Sequence, residues 1–387
     1  MMKKIEKVGI IAMPRISVGG GFARVTRDLI ANLNLMGKKV YLLHPFKVDL
    51  EKISRLYGPI EIEKIYGCGK GKEFFCRFDE IGRKLMKKQF LEMVKGVDFI
   101  IDMEGGVFHN YLPANFDKNN YVIWKISCID PKTSDIQKVK NPKVLIKKLT
   151  RKIVFRKKDM PLNIKIYPVD EWTKREIINF WKINPQELCL YPEIKVDEFN
   201  PNKKKKKQMV ILGRIAINKS IDESLKIFSL GTKKHPEYKL IILGGSTPDT
   251  PTYLEILNKI INDEELEKRV EIIQDPSFEK IKEVLSESEV IIDSQKNVSL
   301  TMTAIEAMAS GCIVLSQKNA GTYKEVLEEG KFGYGFNDVE EGGKKLAEIV
   351  GNIKTEQKDK NKAIERARFF SPEKFRERLM LILNGKQ

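Results

Sequence analysis

No apolar run in this 387-residue chain approaches the roughly 20 residues that cross a bilayer. No apolar signal-peptide core follows the start either, where Met1-Met2-Lys3-Lys4-Ile5-Glu6 leads straight into a predicted strand. Cysteine is scarce. The five residues Cys68, Cys76, Cys128, Cys189 and Cys312 are scattered, odd in number and nowhere spaced Cys-x-x-Cys. That set speaks for a reducing cytosol and against a zinc site. Histidine is scarcer still, with three. Acidic residues are outnumbered: 53 Asp and Glu stand against 70 Lys and Arg, a formal net charge of +17. An excess of that size implies an anionic partner (nucleotide, lipid phosphate, membrane surface or nucleic acid) without choosing among them. What remains is a soluble composition, 42% hydrophobic and 32% charged, with length for two domains that each bury a core.

The stretch from Ser299 to Ser316 organises the rest. Ala304, Ile305, Ala307, Met308 and Ala309 would bury a helix on nearly all sides, and Gly311 stops it at the C-cap position. Ile313 to Leu315 then reads as a parallel strand covered on both faces. Glu306 is the anomaly. A carboxylate among small apolar residues is costly unless something charged or hydroxylated meets it; the bland alternative is a glutamate on the helix's wet face.

Upstream, Val8 to Met13 is a strand ended by Pro14, followed by Gly19-Gly20-Gly21, a helix from Phe22 to Met36 and a second strand at Val40 to Leu43. This is a βαβ opening, and the glycines let backbone N–H groups approach a phosphate at a helix N-terminus. Further strands are expected at Asp98 to Ile101, Tyr121 to Ile126 and Ile164 to Val169, with a ligand crevice at their C-terminal ends. From Lys132 to Lys158, both included, eleven basic residues interleave with Val144, Leu145, Ile146, Leu149, Ile153, Val154 and Phe155. That pattern suits either a solvated helix or a basic amphipathic surface for anionic lipid headgroups. Nucleic acid is not expected, because aromatics for base stacking are sparse there and no recognition motif accompanies the charge.

Phe199-Asn200-Pro201-Asn202 and the five lysines Lys203 to Lys207 mark a domain boundary. Beyond it, α/β alternation resumes. Strands are expected at Met209–Leu212, Lys239–Leu243, Val270–Ile273, Val290–Ile292 and Ile313–Leu315, and helices at Ser220–Leu230, Pro251–Ile261, Phe278–Ser286 and Tyr323–Leu327. Ser371-Pro372 opens a last helix reaching about Leu383. Gly213-Arg214 closes the first of these strands and Lys219 follows five residues later. Two fixed cations at a strand's C-terminal end suit a diphosphate, the arginine as a bidentate fork and the lysine as a point charge.

Gly213 to Lys219, then Leu243-Gly244-Gly245, Ile305 to Gly311, and Gly321 to Val326 occur in an order that resembles the C-terminal domain of retaining glycosyltransferases of family 4. Asp170 to Lys174 and Tyr191 to Phe199 look like that family's approach to its interdomain linker, so the resemblance runs from about Pro168 to Phe336; Gly19 to Gly21 fits it as well. Within the family the look is nearest to mannosyltransferases that extend lipid-linked oligosaccharides on the cytosolic membrane face. The resemblance implies a GT-B fold, in which two Rossmann-like α/β domains face an interdomain cleft and a C-terminal helix crosses back to the first. The expected division is 1–200 for the acceptor side, 201–370 for the nucleotide sugar and 371–387 for the returning helix. It also implies a UDP- or GDP-sugar donor, no obligatory cofactor or metal, and a lipid-linked or glycan acceptor.

Residue by residue, Arg214 and Lys219 match the pair that holds the donor diphosphate and stabilises it as it leaves, beside Gly213. Gly20 and Gly21 would approach the donor from the first domain. Glu306 matches the second of two motif glutamates, the one that binds the nucleotide ribose. The first should lie eight positions earlier, where this chain has Val298; Ser299 and Thr301 stand for motif glycines. Thr301, Met302 and Thr303 would then contact the donor through main-chain N–H and hydroxyl groups. The family often supplies a histidine near the reacting sugar, and His109 is the candidate here; His44 reads as structural and His235 as inert. Asp102, Glu104 and Asp130 also sit at crevice ends. The rival expectations are a non-catalytic GT-B-like binding or scaffold protein, motivated by Val298, and a nucleotide-sugar epimerase.

Overall fold

The computed structural model describes residues 4–12, 16, 20–67, 79–106, 108–126, 163–353 and 360–385. Gly19, Asp130 and the basic segment Lys132–Lys158 lie outside the described residues. The chain divides into two compact units, one of Met1–Val169, Thr173–Tyr191 and Phe375–Gln387, the other of Asp170–Trp172 and Pro192–Lys374.

The first unit is built on β1 (Lys7–Ile11), α1 (Gly21–Leu35), β2 (Lys39–Leu43), α2 (Leu50–Tyr57), β3 (Lys64–Tyr66), α3 (Asp79–Val94), β4 (Phe99–Asp102), β5 (Tyr121–Lys125) and β6 (Lys165–Pro168). Its six strands run parallel in the order β3-β2-β1-β4-β5-β6. The apolar runs are the reason. Val8, Ile10 and Ile11 in β1 and all four residues of β4 are buried, as strands covered on both faces must be. Ile11, Leu43, Phe90, Met93, Ile100, Phe108, Ile123 and Ile166 form a core on one side of the sheet. After β6 the chain turns through α4 (Glu171–Glu176) into a π-helical turn, Ile177–Trp181.

The second unit follows in the same rhythm: β7 (Gln208–Leu212), α5 (Ile221–Gly231), β8 (Lys239–Gly244), α6 (Thr250–Asp263), β9 (Val270–Gln274), α7 (Phe278–Glu287), β10 (Val290–Asp293), α8 (Met302–Ala309), β11 (Ile313–Gln317), β12 (Tyr334–Phe336), α9 (Val339–Gly351) and α10 (Lys360–Arg368). Its sheet order, β12-β11-β10-β7-β8-β9, is also parallel throughout. Read from β9, this is the doubly wound order of the first unit. In both sheets the order reverses beside the first strand, between β1 and β4 and between β7 and β10, and ligands of such sheets bind outside the carboxyl ends at that point.

The last helix, α11 (Pro372–Leu383), belongs from Phe375 onward to the first unit. The Phe375 ring lies 5.7 Å from Trp124 of β5, and Arg376 Nη1 donates to Asn32 Oδ1 of α1 at 3.1 Å. Gly311 takes φ +73° one residue past the C-cap of α8, the stop expected of it. Two expectations change. The helix expected at Tyr323–Leu327 is one π-helical turn, Thr322–Val326. Helix α9, unexpected from the sequence, carries Gly342 and Gly343 because a Cβ there would stand 2.8 Å from Ile227 Cδ1 and 2.6 Å from Leu230 Cβ of α5.

Candidate functional site

The carboxyl ends of β7 and β10 carry the expected donor residues. Gly213 N donates to Leu243 O at 3.0 Å and Ile215 N to Gly245 O at 3.0 Å, so the chain leaving β7 is laced to the chain leaving β8. The approach is close enough that a Cβ on Gly244 would stand 1.9 Å from Gly213 O. Arg214, between those two bonds, is exposed. A 3-10 turn, Ile217–Lys219, and Ser220 at φ +50° then lead into α5. Lys219 is half-buried, and its Nζ donates to Gln295 Oε1 at 2.5 Å. Burial lowers its pKa, the Asp293 carboxylate opposes that shift, and Arg214 adds to it.

Asp293 is buried at the end of β10. Its Oδ1 accepts from Gln295 N (3.2 Å) and Gln295 Nε2 (3.0 Å), and its Oδ2 from Thr301 Oγ1 at 2.9 Å. Thr301 is the N-cap of α8, but its hydroxyl turns to Asp293 and not to its own helix. Thr301 N donates to Thr322 Oγ1 at 3.0 Å. Leu300 N donates to the buried Asp170 Oδ2 at 2.6 Å, and Gly321 N to Val298 O at 2.8 Å. Asp170, Asp293 and the Gly321–Thr322 turn thus set the path of Val298–Thr301. Met302 and Thr303 form the first turn of α8, whose leading N–H groups have no partner within the helix. Glu306, one turn on, is 3% exposed, which removes the wet-face reading.

The remaining candidates lie at the carboxyl edge of the other sheet. Gly20, at φ +130°, precedes α1, and among the described residues beyond its chain neighbours no atom lies within 4 Å of where a Cβ would be; Gly21 opens the helix. His109 begins a 3-10 turn after β4 and is half-buried, its Nδ1 bonded to Gly106 O. Asp102 is fully buried and accepts from the Tyr121 hydroxyl and from Glu104 N at 2.6 Å. Burial pushes its pKa up, against the Tyr121 bond that lowers it, and its two oxygens are engaged by Glu104 N and Tyr121. His44 is buried with Nδ1 at 2.6 Å from Ala12 O. His235 is partly exposed beside Tyr238 and away from the strands' carboxyl ends.

Residues 193–369 match the family model of glycosyl transferases group 1. The chain carries a group 1 glycosyltransferase domain. It is 24% identical over 218 residues to the human GDP-Man:Man(3)GlcNAc(2)-PP-Dol alpha-1,2-mannosyltransferase, covering 53% of this chain and 44% of that one. It is 26% identical over 105 residues to the Xanthomonas oryzae GDP-mannose:cellobiosyl-diphosphopolyprenol alpha-mannosyltransferase, 27% of each chain. The chain therefore spans less than half the length of these curated relatives. Among solved structures, Anabaena HepE in complex with UDP and glucose superposes with a TM-score of 0.73 at 12% identity over 98% of this chain and 100% of that one. A Rickettsia africae glycosyltransferase superposes with a TM-score of 0.68 at 14% identity over 99% of both. Two parallel six-stranded sheets with these neighbours make the fold GT-B.

The group 1 domain includes Gly213, Arg214, Lys219, Thr301, Met302, Thr303 and Glu306, and the structure gathers their backbones around the β7–β10 switch point. Gly20, Gly21 and His109 fall outside it, at the β1–β4 switch point of the first unit. Three parts of the domain's edge escape a linear reading: Asp293, Gln295 and Thr322. The signal that finds Asp293 and Gln295 is their place directly after the apolar run Val290–Ile292, where a parallel strand meets its ligand edge.

Proposed function

We propose that the protein moves a sugar from a nucleoside diphosphate sugar to a hydroxyl acceptor with retention at the anomeric carbon, in the manner of family 4. The observation that carries this reading is the placing of Arg214 and Lys219 at the switch point of the second sheet, with the first turn of α8 beside them. Breaking the anomeric C–O bond leaves the bonding pair on the diphosphate, and fixed cations placed there stabilise the charge as it develops. Two such cations call on no metal. Glu306 would bond the ribose, and His109 would stand near the reacting sugar. The donor would be a UDP- or GDP-sugar; both curated relatives are named for GDP-mannose, and for acceptors on a dolichol or polyprenol diphosphate. These names support a lipid-linked acceptor here.

The test is a screen of UDP- and GDP-sugars with a polyprenyl-diphosphate-linked glycan in vesicles. The expected result is release of nucleoside diphosphate with transfer, the product keeping the donor's anomeric configuration. Nucleotide binding without turnover on any donor would favour the non-catalytic rival that Val298 motivates.

The same reading puts the enzyme on the cytoplasmic membrane face as a peripheral protein, docked through Lys132–Lys158. Among the described residues no helix is long and apolar enough to cross a membrane. Each basic side chain near an anionic surface contributes about 1 kcal/mol, screened within about a Debye length. Binding to anionic liposomes is expected to weaken steeply with salt and to vanish when Lys147, Lys148, Arg151 and Lys152 become Glu. Failure to cosediment with such liposomes at low salt would turn the proposal to a soluble acceptor.

A further inference from the structure

Five side chains of the second unit form one hydrogen-bonded line. Lys219 Nζ donates to Gln295 Oε1 (2.5 Å), Gln295 Nε2 to Asp293 Oδ1 (3.0 Å), and Thr301 Oγ1 to Asp293 Oδ2 (2.9 Å); Thr301 and Thr322 hydroxyls lie 3.0 Å apart. The line has a direction. An ammonium only donates and a carboxylate only accepts, so between them the Gln295 amide must turn its oxygen to Lys219 and its nitrogen to Asp293. The Thr301 proton is likewise committed to Asp293, which leaves Thr322 to donate to Thr301. Ser224 Oγ of α5 donates to Ser294 Oγ at 2.7 Å and ties the start of the helix that follows the lysine to the same strand end.

We propose that Asp293 is a positioning residue for Lys219. Through Gln295 it seats the ammonium, and through Thr301 it holds the start of α8, so that cation and helix N-terminus meet one diphosphate in fixed register. This rests on the reading of Lys219 as a diphosphate cation. It does not follow from the motif match: Asp293 and Gln295 are absent from the segments that carry the family resemblance, and neither residue touches the diphosphate itself. Among the described residues, the charged groups acting on Lys219 are Asp293 from β10 and Arg214 from its own loop. Asp293 therefore has a second effect, since its charge opposes the lowering of the Lys219 pKa that burial causes.

The test is calorimetric titration with UDP and with GDP between about pH 7 and pH 10.5, beside steady-state turnover. In the unaltered protein, affinity falls at alkaline pH as Lys219 loses its proton, and Lys219→Ala abolishes that fall. Asp293→Asn keeps the shape but can present a donor where only an acceptor stood. It is expected to move the alkaline fall to lower pH by about one unit, the scale of losing a nearby opposite charge. Gln295→Leu removes the seat and leaves Asp293 in place. It is expected to move the fall the same way and to lower turnover roughly ten- to a hundredfold, the scale of a lost bond to a charged group. A role confined to packing would lower the melting temperature and leave the alkaline fall where it was. An unmoved fall in both variants, with Lys219→Ala still abolishing it, overturns the proposal alone. Affinity indifferent to Lys219→Ala overturns the diphosphate reading, and the proposal with it. Should Asp293→Asn not fold, Gln295→Leu carries the same comparison.

Discussion

Replacing Arg214 or Lys219 with alanine is expected to cut turnover by roughly a hundredfold or more, with the fold intact. The magnitude is that of removing one preorganised group from a developing anion. Arg214 is exposed at the end of β7, so its truncation empties no core. Among the described residues Lys219 gives up one bond, to Gln295, and its removal relieves a half-buried cation. Both changes therefore act on the leaving group far more than on stability. The two residues also differ in chemistry. Arg214→Lys loses the planar fork that grips two phosphate oxygens at once and should recover little activity. Steady-state turnover of the best donor in each variant, beside its melting temperature, checks this. Near-normal turnover in both alanine variants would remove the proposed mechanism.

The second large effect belongs to a residue with no side chain. Gly244→Ala would put a methyl carbon 1.9 Å from Gly213 O and 2.9 Å from Ile215 Cγ1. The first is a backbone atom pinned by the ladder between β7 and β8, so it cannot swing aside as a flexible side chain would. The strand ends must part, at a cost of about 1–3 kcal/mol or more. Parting them moves Gly213, and Arg214 with it. Gly244→Ala is thus expected to lower both stability and turnover. Gly245→Ala is the control: a Cβ there meets nothing nearer than Asp275 Oδ1 at 3.9 Å and should be nearly silent in denaturant melts. Equal behaviour of the two variants would show that the close approach at Gly244 does not constrain the site.

How much of this was legible in the sequence depends on the range of the interaction. The strands Met209–Leu212 and Val290–Ile292 stand out because a strand buried on both faces is an uninterrupted apolar run, and they lie within a residue or so of β7 and β10. Three-residue edge strands such as Lys64–Tyr66 and Tyr334–Phe336 offer no such run. Helix α9 was illegible for the opposite reason, since Gly342 and Gly343 oppose helix locally and are there because α5 packs against them. At the site, Arg214, Lys219 and Glu306 announce themselves as charges in apolar or glycine-bounded settings. The line from Lys219 to Thr322 does not. It joins segments about 80 and 20 residues apart, and only the return of β10 beside β7 brings them together.

The most direct test of the central claim is a crystal structure of the protein with bound UDP or GDP. The account predicts the diphosphate at the carboxyl ends of β7 and β10, its oxygens within about 2.7–3.2 Å of the Arg214 guanidinium and the Lys219 ammonium. Gln295 should still hold Lys219 from behind, and the ribose should reach Glu306. A nucleotide bound elsewhere, or one whose phosphates leave Arg214 and Lys219 facing solvent, would contradict it.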